Sequence, residues 1–399
     1  MNLIHKPIIT SMLDDDLYKF TTQMAILELF PDAIAKYTFI NRGEQRFNEA
    51  FLNLLKYQIW TQLPTLSLTT DEKRWFSSKC PYLKRWYFDY LYNYRYNPSQ
   101  VSVSLTSDNN LKIDIDGNWG ETVLWEVKLM ALVSELYFKT IQKEWNMKGQ
   151  SSAARLKADM LTTNGCKFSD FGTRRRRNRE TQDLVVGEMK NYSGLVGTSN
   201  VDLAKKYALS PIGTAPHEFT MAHQALEGIR NCNYYAMQNW VRVYSANLGI
   251  VLTDTVTLDQ FLKNFNMRFS KLFDGTRCDS GSEFIYVDKL VKHYKNLKID
   301  PMTKVIVFSN ALNCEKAIEI KKYCNDKIKC SFGIGTYFSN SFLNISSTQP
   351  SPALNMVIKL WSINGVPVVK LSDDKGKVMG DTDAIKVTNW ECFGESLTS

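Results

Sequence analysis

From about Cys166 onward one pattern recurs along the chain: a short apolar run, a tip of Gly, Asp, Ser or Thr, then residues at helical spacing. The tips fall at 167–173, 194–200, 211–214, 249–254, 277–281, 304–310 and 331–336. Any one of them is an ordinary turn. As a series they read as the carboxyl ends of parallel strands, which confines the fold to α/β and places the polar tips around the mouth of a βα-barrel. We therefore expect an irregular βα-barrel domain over 151–350. Residues 1–150 read as an α+β N-terminal domain, completed by about 351–399. Its expected elements are a helix entered at Thr10 and running to about Leu29, a strand at 35–40, a hairpin of 101–105 with 111–115, and a long helix from Glu121 to Trp145. A second hairpin, around Asn364-Gly365, is expected to return to this first domain.

The 399 residues, 44% hydrophobic and 23% charged, suffice for one large or two ordinary domains. No apolar run approaches the ~18 residues of a membrane span, and residues 1–7 lack the apolar stretch of a signal peptide, so a cytoplasmic protein is expected. Eight cysteines lie scattered without a CxxC pair, which argues for reduced thiols and against a zinc ribbon. The net charge of +8 is diffuse except at Arg174-Arg175-Arg176-Arg177 with Arg179 beyond. A nucleic-acid-binding face is the rival reading of that run, disfavoured because it follows a strand tip and does not sit in a tail. Along a strand, one arginine in two would point towards the barrel mouth. Asp14, Asp15 and Asp16 read as acidic residues of a first helical turn, and the aromatics of 86–92 as packing.

Chemistry concentrates at 210–219, where Pro211, Gly213 and Pro216 punctuate a turn and His217 stands at the start of an expected helix over 218–227. A helix start offers unpaired N–H groups to an anion beside the imidazole. Among the other tips, Arg277 and Lys304 offer cationic groups. The runs Gly333-Ile334-Gly335-Thr336 and Gly197-Thr198-Ser199 offer N–H groups and hydroxyls for phosphate. Asp254 and Asp279 could hold a sugar diol or magnesium, or merely cap the following helices. Arg42, closing the 35–40 strand, could reach an anion. His217 and His223, six apart, do not form a zinc pair on one helix face.

These motifs resemble nicotinate phosphoribosyltransferase from end to end. The resemblance is carried by Leu13-Asp14-Asp15-Asp16-Leu17-Tyr18-Lys19, by 168–176, 196–201, 211–219 and 252–255, by Arg277-Cys278-Asp279-Ser280-Gly281, and by 332–336 and 357–360. It implies formation of nicotinate mononucleotide and pyrophosphate from nicotinate and phosphoribosyl pyrophosphate, coupled to ATP hydrolysis and assisted by Mg²⁺, as the first step of nicotinate salvage to NAD. His217 matches the histidine that ATP phosphorylates. Tyr18 and Phe171 match aromatics that sandwich the pyridine ring, Tyr18 coming from the neighbouring subunit of a homodimer with shared active sites. Arg175, Thr214 and Arg277 match nicotinate and phosphate contacts. Asp279, Ser280, Gly281, Ser309, Asn310, Gly333, Gly335 and Thr336 match the phosphoribosyl side. Nicotinamide or quinolinate is the nearest alternative substrate. Asn310, Cys278, Ser282 and Pro216 depart from the residues usual in the family, yet none removes an indispensable group, so an active enzyme is expected.

Overall fold

The computed structural model describes residues 6–394. The opening stretch 1–5, read above for a signal peptide, lies outside them. No helix among the described residues is long and apolar enough to cross a membrane. Fourteen strands form two sheets and a short ribbon among the described residues.

The antiparallel sheet draws on both ends of the chain: β1 (Ile34–Asn41), β2 (Val101–Leu105), β3 (Leu111–Asn118), β13 (Met356–Ile363) and β14 (Val366–Pro367). Its order is β14-β13-β1-β3-β2. The hairpin expected around Asn364-Gly365 does return, with Tyr37 of β1 facing Leu360 of β13. Alternation of Val101, Val103, Ile113 and Ile115 buries one face.

The parallel sheet contains β4 (Phe168–Asp170), β5 (Leu195–Thr198), β6 (Ser210–Pro211), β7 (Ile250–Leu252), β8 (Gly275–Cys278), β9 (Val305–Phe308) and β10 (Lys329–Ile334), in the order β6-β5-β4-β10-β9-β8-β7. All seven expected strand tips therefore belong to one curled sheet. Among the described residues no ladder joins β6 to β7, so the curl is a half-barrel whose gap is crossed by Ala215 N–H donating to the Ile250 carbonyl at 3.4 Å. The ribbon pairs β11 (Phe342–Leu343) with β12 (Pro350–Ser351).

Three local expectations need correction. The first helix is Leu17–Leu29, so Asp14, Asp15 and Asp16 precede it. They are buried in a turn, where Arg176 pairs with both oxygens of Asp14 at 2.7 Å, Lys128 approaches Asp15, and Ser199 donates to Asp16. The long helix comes as Trp119–Thr122 and Trp125–Thr140. The aromatics of 86–92 are core only in part: Tyr87 and Phe88 are buried, whereas Trp86 and Tyr92 are exposed.

Candidate active site

His217 opens the helix His217–Leu226, with Pro216 as its N-cap residue and Glu218 in its first turn. Its Nε2 lies 2.8 Å from Asp254 Oδ1 and 3.8 Å from Asp279 Oδ2. Asp254 follows β7; it is fully buried and caps no helix. Its Oδ2 accepts from Ser280 Oγ at 2.6 Å and pairs with Lys370 Nζ at 2.9 Å. Burial would raise the Asp254 carboxyl, but His217 and Lys370 outweigh it and hold it well below the usual range. An ionised Asp254 takes the proton-bearing nitrogen of the ring, so Nε2–H donates and Nδ1 keeps the lone pair. Burial, reinforced by Lys370 and opposed by Asp254, pushes the imidazole down to about 4, which leaves it neutral near pH 7.

Arg277, at the end of β8, gathers most of the remaining residues. Its guanidinium donates to Ser309 Oγ at 2.8 Å, to Thr214 Oγ1 at 3.0 Å and to Asp279 Oδ1 at 3.2 Å, and it lies 5.7 Å from the centre of the Phe171 ring. Ser309 also donates to Asp279 at 2.6 Å. Asn310 Oδ1 accepts from Lys377 Nζ at 2.7 Å, and the same ammonium donates to the Asp279 carbonyl. An amide at this position thus takes a cation's hydrogen bond within the chain. Gly281, at φ +74°, turns the chain after Ser280, whose Oγ also accepts from Asp373 N–H.

Gly333 and Gly335 have a packing reason. A Cβ on Gly333 would stand 2.3 Å from the Phe171 ring, and one on Gly335 would stand 2.7 Å from the Phe171 carbonyl. Thr336 then begins the short helix Thr336–Ser339. Gly333→Ala is expected to displace the Phe171 ring at a cost of about 1–3 kcal/mol, the scale of overpacking, and to lower the thermal midpoint. Unchanged thermal unfolding would show that the ring is free to move.

The cavity beside His217 is walled by Tyr18, Glu126, Arg174, Arg277, Asp279 and Lys359, among others. Tyr18 therefore lines a cavity of its own chain. The Lys359 ammonium, on β13, makes no ion pair or hydrogen bond among the described residues. Burial, helped by Lys370 and Arg174 and opposed by Glu126, brings it down to about 7.

The arginine run does not alternate, because β4 ends at Asp170 and Thr173–Arg175 form a 3-10 turn. Arg174 is the one that walls the cavity. Arg175 instead donates from Nε to the Met356 carbonyl at 3.0 Å, Arg176 is buried on Asp14, and Arg177 is buried over the Phe138 ring at 3.6 Å. Three further expected anion contacts are otherwise engaged. Thr198 and Ser199 turn inward to Asp170 and Asp16. Lys304 precedes β9, at the opposite end of the sheet, and donates to the Phe273 carbonyl. Arg42 rests against Met379 Sδ.

Sequence reasoning missed Glu126 and gave Lys19, Glu218, Lys359 and Lys370 no part in the site. A signal existed for Glu126: a carboxylate in a helix whose neighbours are nearly all apolar is buried only with a partner.

Residues 166–394 match the model of the nicotinate phosphoribosyltransferase (NAPRTase) family, and residues 13–134 match that of the NAPRTase N-terminal domain. The chain is 50% identical over 400 residues to a nicotinate phosphoribosyltransferase of Methanosarcina mazei, covering 96% of this chain and 98% of that one. To the nicotinate phosphoribosyltransferase of Saccharomyces cerevisiae it is 39% identical over 406 residues, covering 96% and 94%. Among solved structures, that of nicotinate phosphoribosyltransferase from Porphyromonas gingivalis superposes with a TM-score of 0.91 at 40% identity, covering 96% of this chain and 99% of that one. The Vibrio cholerae enzyme gives 0.92 at 32% identity, covering 100% and 97%. With both family models matched and relatives this similar along nearly the whole length, the chain belongs to the nicotinate phosphoribosyltransferase family.

Proposed function

We propose that this chain forms nicotinate mononucleotide and pyrophosphate from nicotinate and phosphoribosyl pyrophosphate, the first step of nicotinate salvage to NAD, coupled to ATP hydrolysis through transient phosphorylation of His217. The reading extends to a cytoplasmic homodimer. One observation carries it: a neutral imidazole, oriented by Asp254, beside a cavity that also holds Arg174, Arg277 and Lys359. In the first step Nδ1 attacks the γ-phosphorus of ATP, an N–P bond forms, and the bond from that phosphorus to the ADP oxygen breaks. The ring becomes cationic and Asp254 balances the charge. Attack by water then forms P–O, breaks N–P and returns the neutral ring with inorganic phosphate.

Phe171 and Tyr18 would flank the pyridine ring. Arg277 and Thr214, with Arg174 in preference to Arg175, would hold its carboxylate or an adjoining phosphate, since a guanidinium suits both. Asp279, Ser280, Gly281, Ser309, Asn310, Gly333, Gly335 and Thr336 would surround the phosphoribosyl group. An oxocarbenium-like transition state gains from arginines fixed by hydrogen bonds before the substrate arrives.

The residues present fit a magnesium ion. His217, Asp254 and Asp279 offer ligand atoms within 4.8 Å of one another, and Asp279 Oδ2 accepts no hydrogen bond among the described residues. Magnesium takes one or two carboxylates and completes its shell with phosphate and water, so Asp279 and Asp254 would hold it. When bound, it would neutralise the departing pyrophosphate.

The test measures mononucleotide formation from phosphoribosyl pyrophosphate and Mg²⁺ with nicotinate or nicotinamide, each with and without ATP. Product from nicotinate, increased by ATP, is expected. Product from nicotinamide alone would overturn the base assignment, and no product from either base would overturn the function.

A further inference from the structure

Directly after His217 comes a carboxylate that the proposed chemistry does not use. Glu218 is buried on the cavity wall, its Oε2 lies 2.8 Å from Lys19 Nζ, and its Oε1 has no hydrogen-bond partner among the described residues. Lys19 comes from the Leu17–Leu29 helix and is wholly buried. Its ammonium also contacts Glu126 Oε2 at 2.5 Å. That same Glu126 oxygen accepts from the Tyr18 hydroxyl at 3.3 Å, and the other Glu126 oxygen pairs with Arg174 at 3.4 Å. One ammonium thus joins the residue beside His217 to the carboxylate that holds Tyr18 and Arg174.

We propose that Lys19, Glu126 and Glu218 form a positioning relay through which the phosphorylation state of His217 reaches Tyr18. The inference rests on the reading of His217 as the phosphoacceptor. A buried ammonium requires its counter-charges, so Lys19 follows the charge of the two glutamates. A phosphoryl dianion on the neighbouring residue favours the protonated form of Glu218, as any like charge would. Once Glu218 is neutral, Lys19 settles on Glu126 alone and competes with the Tyr18 hydroxyl for Oε2. Tyr18 is then reset on the cavity wall.

Glu218 is suited to this. Burial raises its carboxyl above the usual range although Lys19 opposes the rise. Burial would raise Glu126 as well, but Lys19 and Arg174 hold it down to about 2. The groups that face Glu218 are Lys19 and Tyr18 from the first helix, Glu126 from the Trp125–Thr140 helix, Tyr37 from β1 and Lys359 from β13. Of these, Glu126 and Lys19 have the largest influence on its charge, and both belong to the relay.

The experiment compares wild type with Glu218→Gln and Lys19→Met, reading acid-labile label on His217 from γ-labelled ATP and the KM for nicotinate with and without ATP. Wild type should take up label and show a KM lowered by about fivefold or more by ATP, the lower range of measured site-to-site couplings. Both variants should take up label yet show the same KM, within about twofold, with and without ATP. Wild type without label overturns the reading of His217 and, with it, the relay. Labelled variants that keep the wild-type KM difference overturn the relay, as does a labelled wild type with no KM difference. A folded variant that takes no label also overturns it, because the relay acts after phosphorylation. Should both variants fail to fold, Tyr18→Phe, which removes only the hydroxyl on Glu126, decides by the same KM criterion.

Discussion

On the proposed function, replacing His217 with alanine is expected to abolish acid-labile phosphate and to reduce ATP-driven mononucleotide formation by about 10²-fold or more, the scale on which loss of one acid–base or nucleophilic group is felt. The reason lies in the tautomer. Asp254 fixes Nε2–H, so the lone pair of Nδ1 stands ready and no other imidazole lines the cavity among the described residues. His223, six residues on, is turned away: its Nδ1 lies 2.6 Å from the Phe219 carbonyl and its Nε2 3.0 Å from Asn239. Asp254→Asn keeps the shape but removes the charge that balances the cationic ring, and it also leaves Lys370 without its carboxylate. It should therefore show the same direction of loss with His217 still present. Rapid-quench measurement of label and product separates the two steps. A His217→Ala enzyme that ATP still accelerates would sink the assignment.

The second large effect is on stability. Asp14→Ala removes the only carboxylate within 4.0 Å of the Arg176 guanidinium among the described residues, and Arg176 is fully buried with its Nε already unpartnered. Breaking a buried pair by deleting one partner costs about 3–5 kcal/mol, because the charge left behind cannot reach water. Denaturant or thermal unfolding measures this, and a loss below about 1 kcal/mol would show that Arg176 finds water. The pH dependence has a definite sign. Burial would raise the Asp14 carboxyl, but Arg176, with Arg179 and Lys128, holds it well below the ordinary value. A depressed carboxylate contributes stability that is complete above its unfolded value of about 3.9 and is lost as pH falls from there towards the folded value. The wild type should thus lose stability on acidification below about pH 4 more steeply than Asp14→Ala.

How much of this could be read from the chain follows from how local each signal is. A strand, its polar tip and its helix are neighbours in sequence, so all seven parallel strands were legible, as was the return of β13 to β1 around Asn364-Gly365. The aspartates were misread because their partners are remote: an acidic run before a helix has the same local signature whether it meets water or Arg176. The arginine run was misread for a different reason. Periodicity of two holds only while the strand lasts, and β4 stops at Asp170, before the first arginine. In the cavity, His217, Tyr18, Arg277 and Asp279 were found by motif. Glu126 and Lys370 were not, because a carboxylate or an ammonium within an apolar segment reveals its purpose only through the counter-charge that folding brings to it.

The pairing of β1 with β13 bears on how the chain is made. Leu360 leaves the ribosome 323 residues after Tyr37, so on a chain growing at about 5–20 residues per second β1 waits on the order of tens of seconds for its neighbour. During synthesis β1 can pair with β3 on one side while its other edge stays open to the strands of other nascent chains. A message cut short before Met356 would make that exposure permanent, leaving a product whose parallel sheet is whole and whose first strand invites aggregation.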